Sequence, residues 1–185
     1  VVREAVGRLL LDAYTFHIGD DIVLLMSHTR GPCHPEVHAL AWRAFQEGTA
    51  VAKEEGLYGA GQDLLKDAFT GNLHGLGPQV AEMTFKERPA EAFLVLAADK
   101  TEPGAFNLPL YLAFADPMYA SGLLLSPDLR PGFRFRIMDL AQTERDSHIT
   151  LDAPERLYEI ATLLRDSHRF AIESIWSRRH GEIAA

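Results

Sequence analysis

The feature that most constrains this chain is a glycine-rich stretch at residues 56–78, which contains six glycines in 23 residues. Glycine is favoured where the backbone takes a positive φ or approaches a ligand closely, so the stretch predicts a binding loop. A long surface loop with turn glycines fits the same composition. The polar residues there that could contact a metal ion, a hydroxyl or a phosphate oxygen are Tyr58, Gln62, Asp63 and Asn72.

Strand-like and helix-like segments share the rest of the chain and predict an α/β fold built in layers. Runs rich in apolar, branched and aromatic residues predict strands at 11–18, 22–26, 80–85, 93–98, 119–126, 133–140 and 169–177. Apolar residues at helical spacing predict helices at 1–10, 35–55, 107–114 and 153–167. In the strand at 133–140, Arg134 and Arg136 alternate with apolar residues, so we expect them to face solvent.

Charge and length exclude several classes of partner. The formal net charge of −8 gives the protein no electrostatic reason to bind nucleic acid or anionic lipid. No apolar run is long enough to span a bilayer, and the single cysteine cannot form an internal disulfide. We therefore expect a cytoplasmic protein without a nucleic-acid or membrane partner. A length of 185 residues predicts one domain, and the first and last residues suggest a piece cut at both ends.

Two adjacent carboxylates, Asp20 and Asp21, lie between the first two predicted strands. Like charges side by side repel, and a divalent cation between them lowers that cost. Mg²⁺ is usually held by a few carboxylates together with water and substrate phosphate. A plain hairpin turn with solvated aspartates explains the Gly-Asp-Asp sequence equally well. Both interpretations stay open at this point.

A second acidic position, Asp99, stands beside Lys100 at the end of the predicted strand 93–98. Ligand sites often lie at the carboxyl ends of buried strands, where an acid can hold a metal ion and a base can contact a phosphate. A strand end whose adjacent charges simply point to water is the alternative.

Several strings in this order resemble the fructose-1,6-bisphosphate aldolase/phosphatase family, a bifunctional gluconeogenic enzyme of archaea and some bacteria. They include His-Ile-Gly-Asp-Asp at 17–21, Gly-Leu-Tyr-Gly-Ala-Gly-Gln-Asp at 56–63 and Asp-Lys-Thr-Glu-Pro-Gly-Ala-Phe-Asn at 99–107. Shorter matches lie at 71–72, 77–78, 81–83, 87–89, 114–117 and 132–133. Together they cover most of the chain.

The resemblance implies an activity and a set of site residues. The family joins dihydroxyacetone phosphate and glyceraldehyde 3-phosphate through a lysine Schiff base, then removes the C1 phosphate with the help of Mg²⁺ to give fructose 6-phosphate. The implied Mg²⁺ ligands are Asp20, Asp21, Gln62 and Asp99. The implied contacts to the bisphosphate substrate are Tyr58, Gly71, Asn72 and Lys100. The resemblance also implies a layered α-β-β-α sandwich with mixed sheets and outer helices, and a homo-octamer.

The resemblance also places part of the family's machinery outside this chain. Its first metal-binding aspartate and histidine would precede Val1, and its Schiff-base lysine, aldolase tyrosine and a further aspartate pair would follow Ala185. We therefore expect an active parent protein, and a 185-residue piece that catalyses neither step alone. Two alternatives remain: an unrelated Mg²⁺-dependent sugar or inositol phosphatase, and a non-catalytic relic that binds a sugar phosphate.

Overall fold

The computed structural model describes residues 1–57, 80–86, 93–142 and 147–185. These residues form two compact units, Val1–Thr84 and Phe85–Ala185. The first unit contains strands β1 (Asp12–Ile18) and β2 (Asp21–Ser27) and helix α1 (Pro35–Glu54). The second contains α2 (Asn107–Phe114), α3 (Gly122–Leu125), β3 (Phe133–Asp139), β4 (His148–Ala153), α4 (Leu157–Leu164) and β5 (Phe170–Ser177). The expectation of a single domain stays a prediction.

The first unit combines an antiparallel hairpin with one long helix. Strands β1 and β2 pair from Asp12–Ser27 to Ile18–Asp21, which leaves a turn of two residues. Helix α1 begins with a proline at its first position, where the missing N–H costs nothing. The buried core cluster of this unit comes from the chain start and from α1; its members are Val2, Leu10, Val37 and Leu40.

The second unit is built around a three-stranded antiparallel sheet with the strand order β4-β3-β5. Burial alternates along β3, so that Phe133, Phe135 and Ile137 face the core. Ile160 of α4 and Ile175 of β5 complete the fully buried centre, and both have no exposed surface. The period-two pattern in the sequence therefore identified the inner face of this strand correctly.

The outer face of β3 carries the two arginines that the sequence predicted to be solvent-facing. Arg134 donates to both carboxylate oxygens of Asp152 on β4, at 2.8 and 2.9 Å. Arg136 lies 2.8 Å from a carboxylate oxygen of Glu173 on β5. These cross-strand pairs join the outer strands to the central one, and the hydrogen bond from Arg134 lowers the pKa of Asp152.

One buried amide connects three backbone segments of the second unit. The side chain of Asn107, at the start of α2, is only 4% exposed. Its Nδ2 donates to the carbonyls of Leu164 and Phe170, at 3.1 and 2.8 Å, and its Oδ1 accepts from the N–H of Ile172 at 3.1 Å. Helices α2 and α4 and strand β5 are therefore held together by a single side chain.

The predicted α/β class is confirmed, with helices and small antiparallel sheets. The structure contains the strands predicted near 11–18, 22–26, 133–140 and 169–177, and the helices predicted at 35–55 and 107–114. Every named strand pair among the described residues is antiparallel. The layered sandwich implied by the resemblance stays a prediction. No helix in the described part of the chain is long and apolar enough to cross a membrane.

Three predicted elements have the wrong type or the wrong length. Residues 1–10 form only a 3-10 turn at Arg3–Ala5, because Val6 takes an extended conformation (φ −66°, ψ 135°). Residues 119–126 were predicted as a strand but contain the short helix α3. The predicted helix at 153–167 covers only Leu157–Leu164, because Ala153 ends β4, which the sequence analysis missed, and residues 154–156 form a turn.

Two further predicted strands, at 80–85 and 93–98, are not strands in the structure. Their side chains are exposed; Leu94, for example, is 82% exposed. A strand needs a neighbour to pair its backbone N–H and C=O groups, and no described residue supplies one for either segment. Strand-like composition alone was therefore insufficient. The turn predicted at 87–89 lies outside the described residues.

Replacing Asn107 should destabilise the protein strongly. Asn107→Ala leaves two buried carbonyls and one buried N–H without their partner, for which we expect a loss of about 3 kcal/mol in the free energy of unfolding. Urea unfolding followed by circular dichroism measures it. Leu108→Ala, on the same helix at a 66% exposed position, is the matched control and should change stability by less than about 0.5 kcal/mol. Equal effects of the two substitutions would contradict this role.

We expect Asp139 to make the stability of the protein depend on pH. Its buried carboxylate accepts from Arg169 at 2.9 and 3.0 Å, and this hydrogen-bonded pair lowers its pKa. A lowered folded-state pKa gives stability that is fully present above the unfolded pKa, which is about 4, and is lost as the pH falls through the folded value. The melting temperature of Asp139→Asn should therefore lie below that of the wild type at pH 7, with the difference closing below pH 4. The control is Asp128→Asn, which removes an exposed surface ion pair. Its melting temperature should stay close to that of the wild type across the whole pH range.

Candidate metal and phosphate site

The turn of the β1–β2 hairpin presents the first two predicted metal ligands. Ile18 pairs with Asp21, so Gly19 and Asp20 form the turn. Gly19 has a φ of +58°, which glycine adopts readily and which is typical of the first turn residue in a type II′ hairpin. The chain therefore reverses within two residues and brings both aspartates to one tip.

The two carboxylates at this tip are close and exposed. A carboxylate oxygen of Asp20 and one of Asp21 lie within 4.8 Å of each other, and both residues are solvent-exposed. The hairpin-turn interpretation is thus correct about the backbone. It does not compete with a metal-binding role, since a tight turn is also an effective way to place two oxygen donors side by side.

The remaining described site residues, Asp99 and Lys100, form an ion pair in the second unit. Lys100 Nζ donates to both carboxylate oxygens of Asp99, at 2.9 and 3.1 Å. The Asp99 side chain is 21% exposed and that of Lys100 is 71% exposed. Lys100 has a φ of +48°, which is uncommon for a residue other than glycine and is frequent at functional sites. The two residues lie at a bend of the chain and not at the end of a buried strand, so the placement predicted from sequence was wrong.

The other predicted site residues cannot be placed. Tyr58, Gln62, Gly71 and Asn72 all lie outside the described residues. The structure therefore brings Asp20 next to Asp21 and Asp99 next to Lys100, each pair within its own unit. Assembly of the whole set around shared ions stays a prediction.

A polar contact that the sequence analysis missed joins Glu82 to α1 and to the loop before it. Glu82 accepts a hydrogen bond from the backbone N–H of Cys33 at 2.7 Å, and its other oxygen lies 3.1 Å from His38 Nε2. These contacts lower the pKa of Glu82. The neighbouring carboxylate also raises the pKa of the Cys33 thiol, so this cysteine is not activated as a nucleophile. The only sequence signal was Glu82 within a family string.

Comparison with known proteins decides the family. The whole chain, residues 1–185, matches the family model described as "Fructose-1,6-bisphosphatase". Over all 185 residues it is 88% identical to the fructose-1,6-bisphosphate aldolase/phosphatase of Thermus thermophilus, of which it covers 51%. The chain belongs to the fructose-1,6-bisphosphate aldolase/phosphatase family.

More distant members of this aldolase/phosphatase family give the same result. The protein of that name from Ignicoccus hospitalis is 52% identical over 174 residues, which are 94% of this chain and 44% of the relative. The one from Methanocaldococcus jannaschii is 48% identical over 185 residues, the whole of this chain and 47% of the relative. The chain thus spans about half the length of the curated relatives it matches. An unrelated sugar or inositol phosphatase family is excluded.

The hairpin tip of this aldolase/phosphatase family member offers a donor set suited to a hard divalent cation. Two neighbouring carboxylates repel each other unless a proton or a cation reduces the charge between them. Mg²⁺ prefers oxygen ligands, usually a few carboxylates completed by water and phosphate oxygens, and an exposed tip leaves room for both. Asp20 and Asp21 therefore fit Mg²⁺ in chemistry and in access.

Proposed function

We propose that the protein containing this chain is a fructose-1,6-bisphosphate aldolase/phosphatase, and that this chain supplies part of its phosphatase site. The observation that supports the proposal most directly is the 88% identity over all 185 residues to a relative of that name. The proposed reactions are Schiff-base aldol condensation of the two triose phosphates and Mg²⁺-dependent hydrolysis of the C1 phosphate of fructose 1,6-bisphosphate. A cytoplasmic homo-octamer is proposed with them.

In this proposal the acidic residues hold the metal. Asp20 and Asp21 are ligands on the hairpin tip, and Asp99 and Gln62 complete the set. Bound Mg²⁺ would neutralise phosphoryl oxygens and assist attack by water. The support from the structure is the closeness of the Asp20 and Asp21 oxygens. The two-residue turn holds the backbones of both aspartates at one tip, which lowers the ordering cost of binding.

The substrate contacts proposed for this chain are Tyr58, Gly71, Asn72 and Lys100. Of these, Lys100 is the one that the structure describes. Its ammonium group already donates to both oxygens of Asp99. For Asp99 to serve as a ligand and Lys100 as a phosphate contact, this ion pair must open. Because the Lys100 side chain is 71% exposed, the ammonium group has room to turn towards an incoming phosphate.

The metal role of the hairpin tip is tested by removing one charge at a time in the full-length protein. Asp20→Asn and Asp21→Asn should each weaken Mg²⁺ binding by at least about tenfold, measured by the Mg²⁺ dependence of phosphate release and by calorimetric titration. Asp12→Asn, at the other end of the same hairpin and also exposed, is the matched control and should behave as the wild type. If all three variants have the wild-type Mg²⁺ dependence, the tip holds no ion.

The 185-residue chain alone should catalyse neither step. The resemblance places the Schiff-base lysine and several metal ligands on other parts of the full-length protein, so neither reaction has its complete set of groups here. We expect no Mg²⁺-dependent phosphate release from fructose 1,6-bisphosphate and no borohydride-trapped imine with dihydroxyacetone phosphate.

The full-length protein is the positive control and should give both signals. Phosphate release by the isolated chain would show that the proposed division of the site is wrong. A full-length protein that binds Mg²⁺ and sugar phosphate but turns nothing over would instead be the non-catalytic relic.

A further inference from the structure

A second charged feature of the first unit has no part in the site described above. It is an open pocket of about 440 Å³ beside the amino-terminal half of α1. Three arginines line it: Arg8, Arg30 and Arg43. We call it the arginine pocket. Among the described residues, none of those proposed to bind metal or substrate lines it.

The pocket concentrates positive charge in an acidic protein. Its titratable lining is three guanidinium groups and one carboxylate, Glu36, whereas the whole chain has a formal charge of −8. Within the described part of the chain no carboxylate forms an ion pair with any of the three arginines. Three guanidinium groups against one carboxylate leave the pocket with a net positive charge, so an anion that enters it is attracted.

The three arginines come from helix α1 and from two loop positions. Glu36, Leu40 and Arg43 are spaced four and three residues apart on α1, so they share one face of the helix. Arg30 Nη2 lies 3.5 Å from the backbone carbonyl of Arg8, which places the Arg30 side chain against the backbone of the segment that carries Arg8. The pocket is thus bounded by a helix on one side and by two loop residues in contact on the other.

The wall between the arginines is apolar. Leu9 and Ala39 line it, together with Leu40, which is only 3% exposed and belongs to the buried cluster of this unit. A pocket of this volume falls in the range of small-molecule sites, about 300–1,000 Å³. Guanidinium groups bind phosphate through paired N–H donors, while an apolar wall accepts the organic body of a ligand.

We propose that the arginine pocket binds a small phosphorylated organic anion. The phosphate contacts the guanidinium groups at the rim, and the organic part lies against Leu9 and Ala39. None of the described residues proposed to bind metal or substrate lines this pocket, and guanidinium groups bind phosphate without a cation. Ligand binding here can therefore be measured without Mg²⁺.

The test uses the full-length protein in Mg²⁺-free buffer with chelator. ADP, ribose 5-phosphate and pyrophosphate are titrated by calorimetry into wild type, Arg8→Gln, Arg43→Gln and the double variant. We expect saturable binding of at least one organic phosphate, tighter than that of pyrophosphate. Each single substitution should weaken it roughly three- to tenfold, and the double substitution more. Arg3→Gln, an exposed arginine of the same unit outside the pocket, is the control and should bind as the wild type.

Three results would overturn the proposal. One is the absence of saturable binding of any of the three probes to the wild type. The second is equal affinity of wild type and double variant, which would place the probe elsewhere. The third is a change in oligomeric state of the double variant in light scattering without ligand, which would assign the pocket to a contact between copies. Phosphatase activity without added ligand should be the same in all variants.

Discussion

The buried amide of Asn107 is the interaction on which the second unit depends most. Its donors and its acceptor are satisfied by backbone groups of Leu164, Phe170 and Ile172, which lie on or next to two other elements. A polar side chain at 4% exposure is costly unless it is paired, so the arrangement tolerates neither a shorter nor an apolar replacement. The fold of this unit thus depends on polar fit as much as on its apolar centre.

The same region secures the segment that carries the predicted phosphate contact. Between Lys100 and α2, Gly104 packs so closely on the next loop that a Cβ there would lie 2.7 Å from the backbone of Ser167. Glu102 accepts a hydrogen bond from the Ser167 hydroxyl. Lys100 therefore projects from a segment that is fastened to the core only a few residues later. The stretch 99–107 thus begins with the proposed site residues Asp99 and Lys100 and continues with residues that hold the segment in place.

Local chemistry made part of this structure predictable from sequence. Glycine followed by aspartate between two apolar runs specified the β1–β2 turn, and proline with helical periodicity specified α1. Both signals come from residues that are neighbours in the sequence. The segment at 93–98 has equally strong strand composition yet pairs with no described residue, because pairing depends on which distant backbone lies alongside. For the same reason β4 was missed: its partner, β3, and not its own composition, makes it a strand.

The two-residue turn at the hairpin tip has a consequence for how the sequence can vary. Side chains on a strand alternate between faces, so a one-residue slip in the pairing of β1 with β2 would turn Asp21 to the opposite face. Substitution within the strands leaves this geometry intact, whereas insertion or deletion does not. The register of the hairpin therefore sets the direction in which the tip presents its two carboxylates.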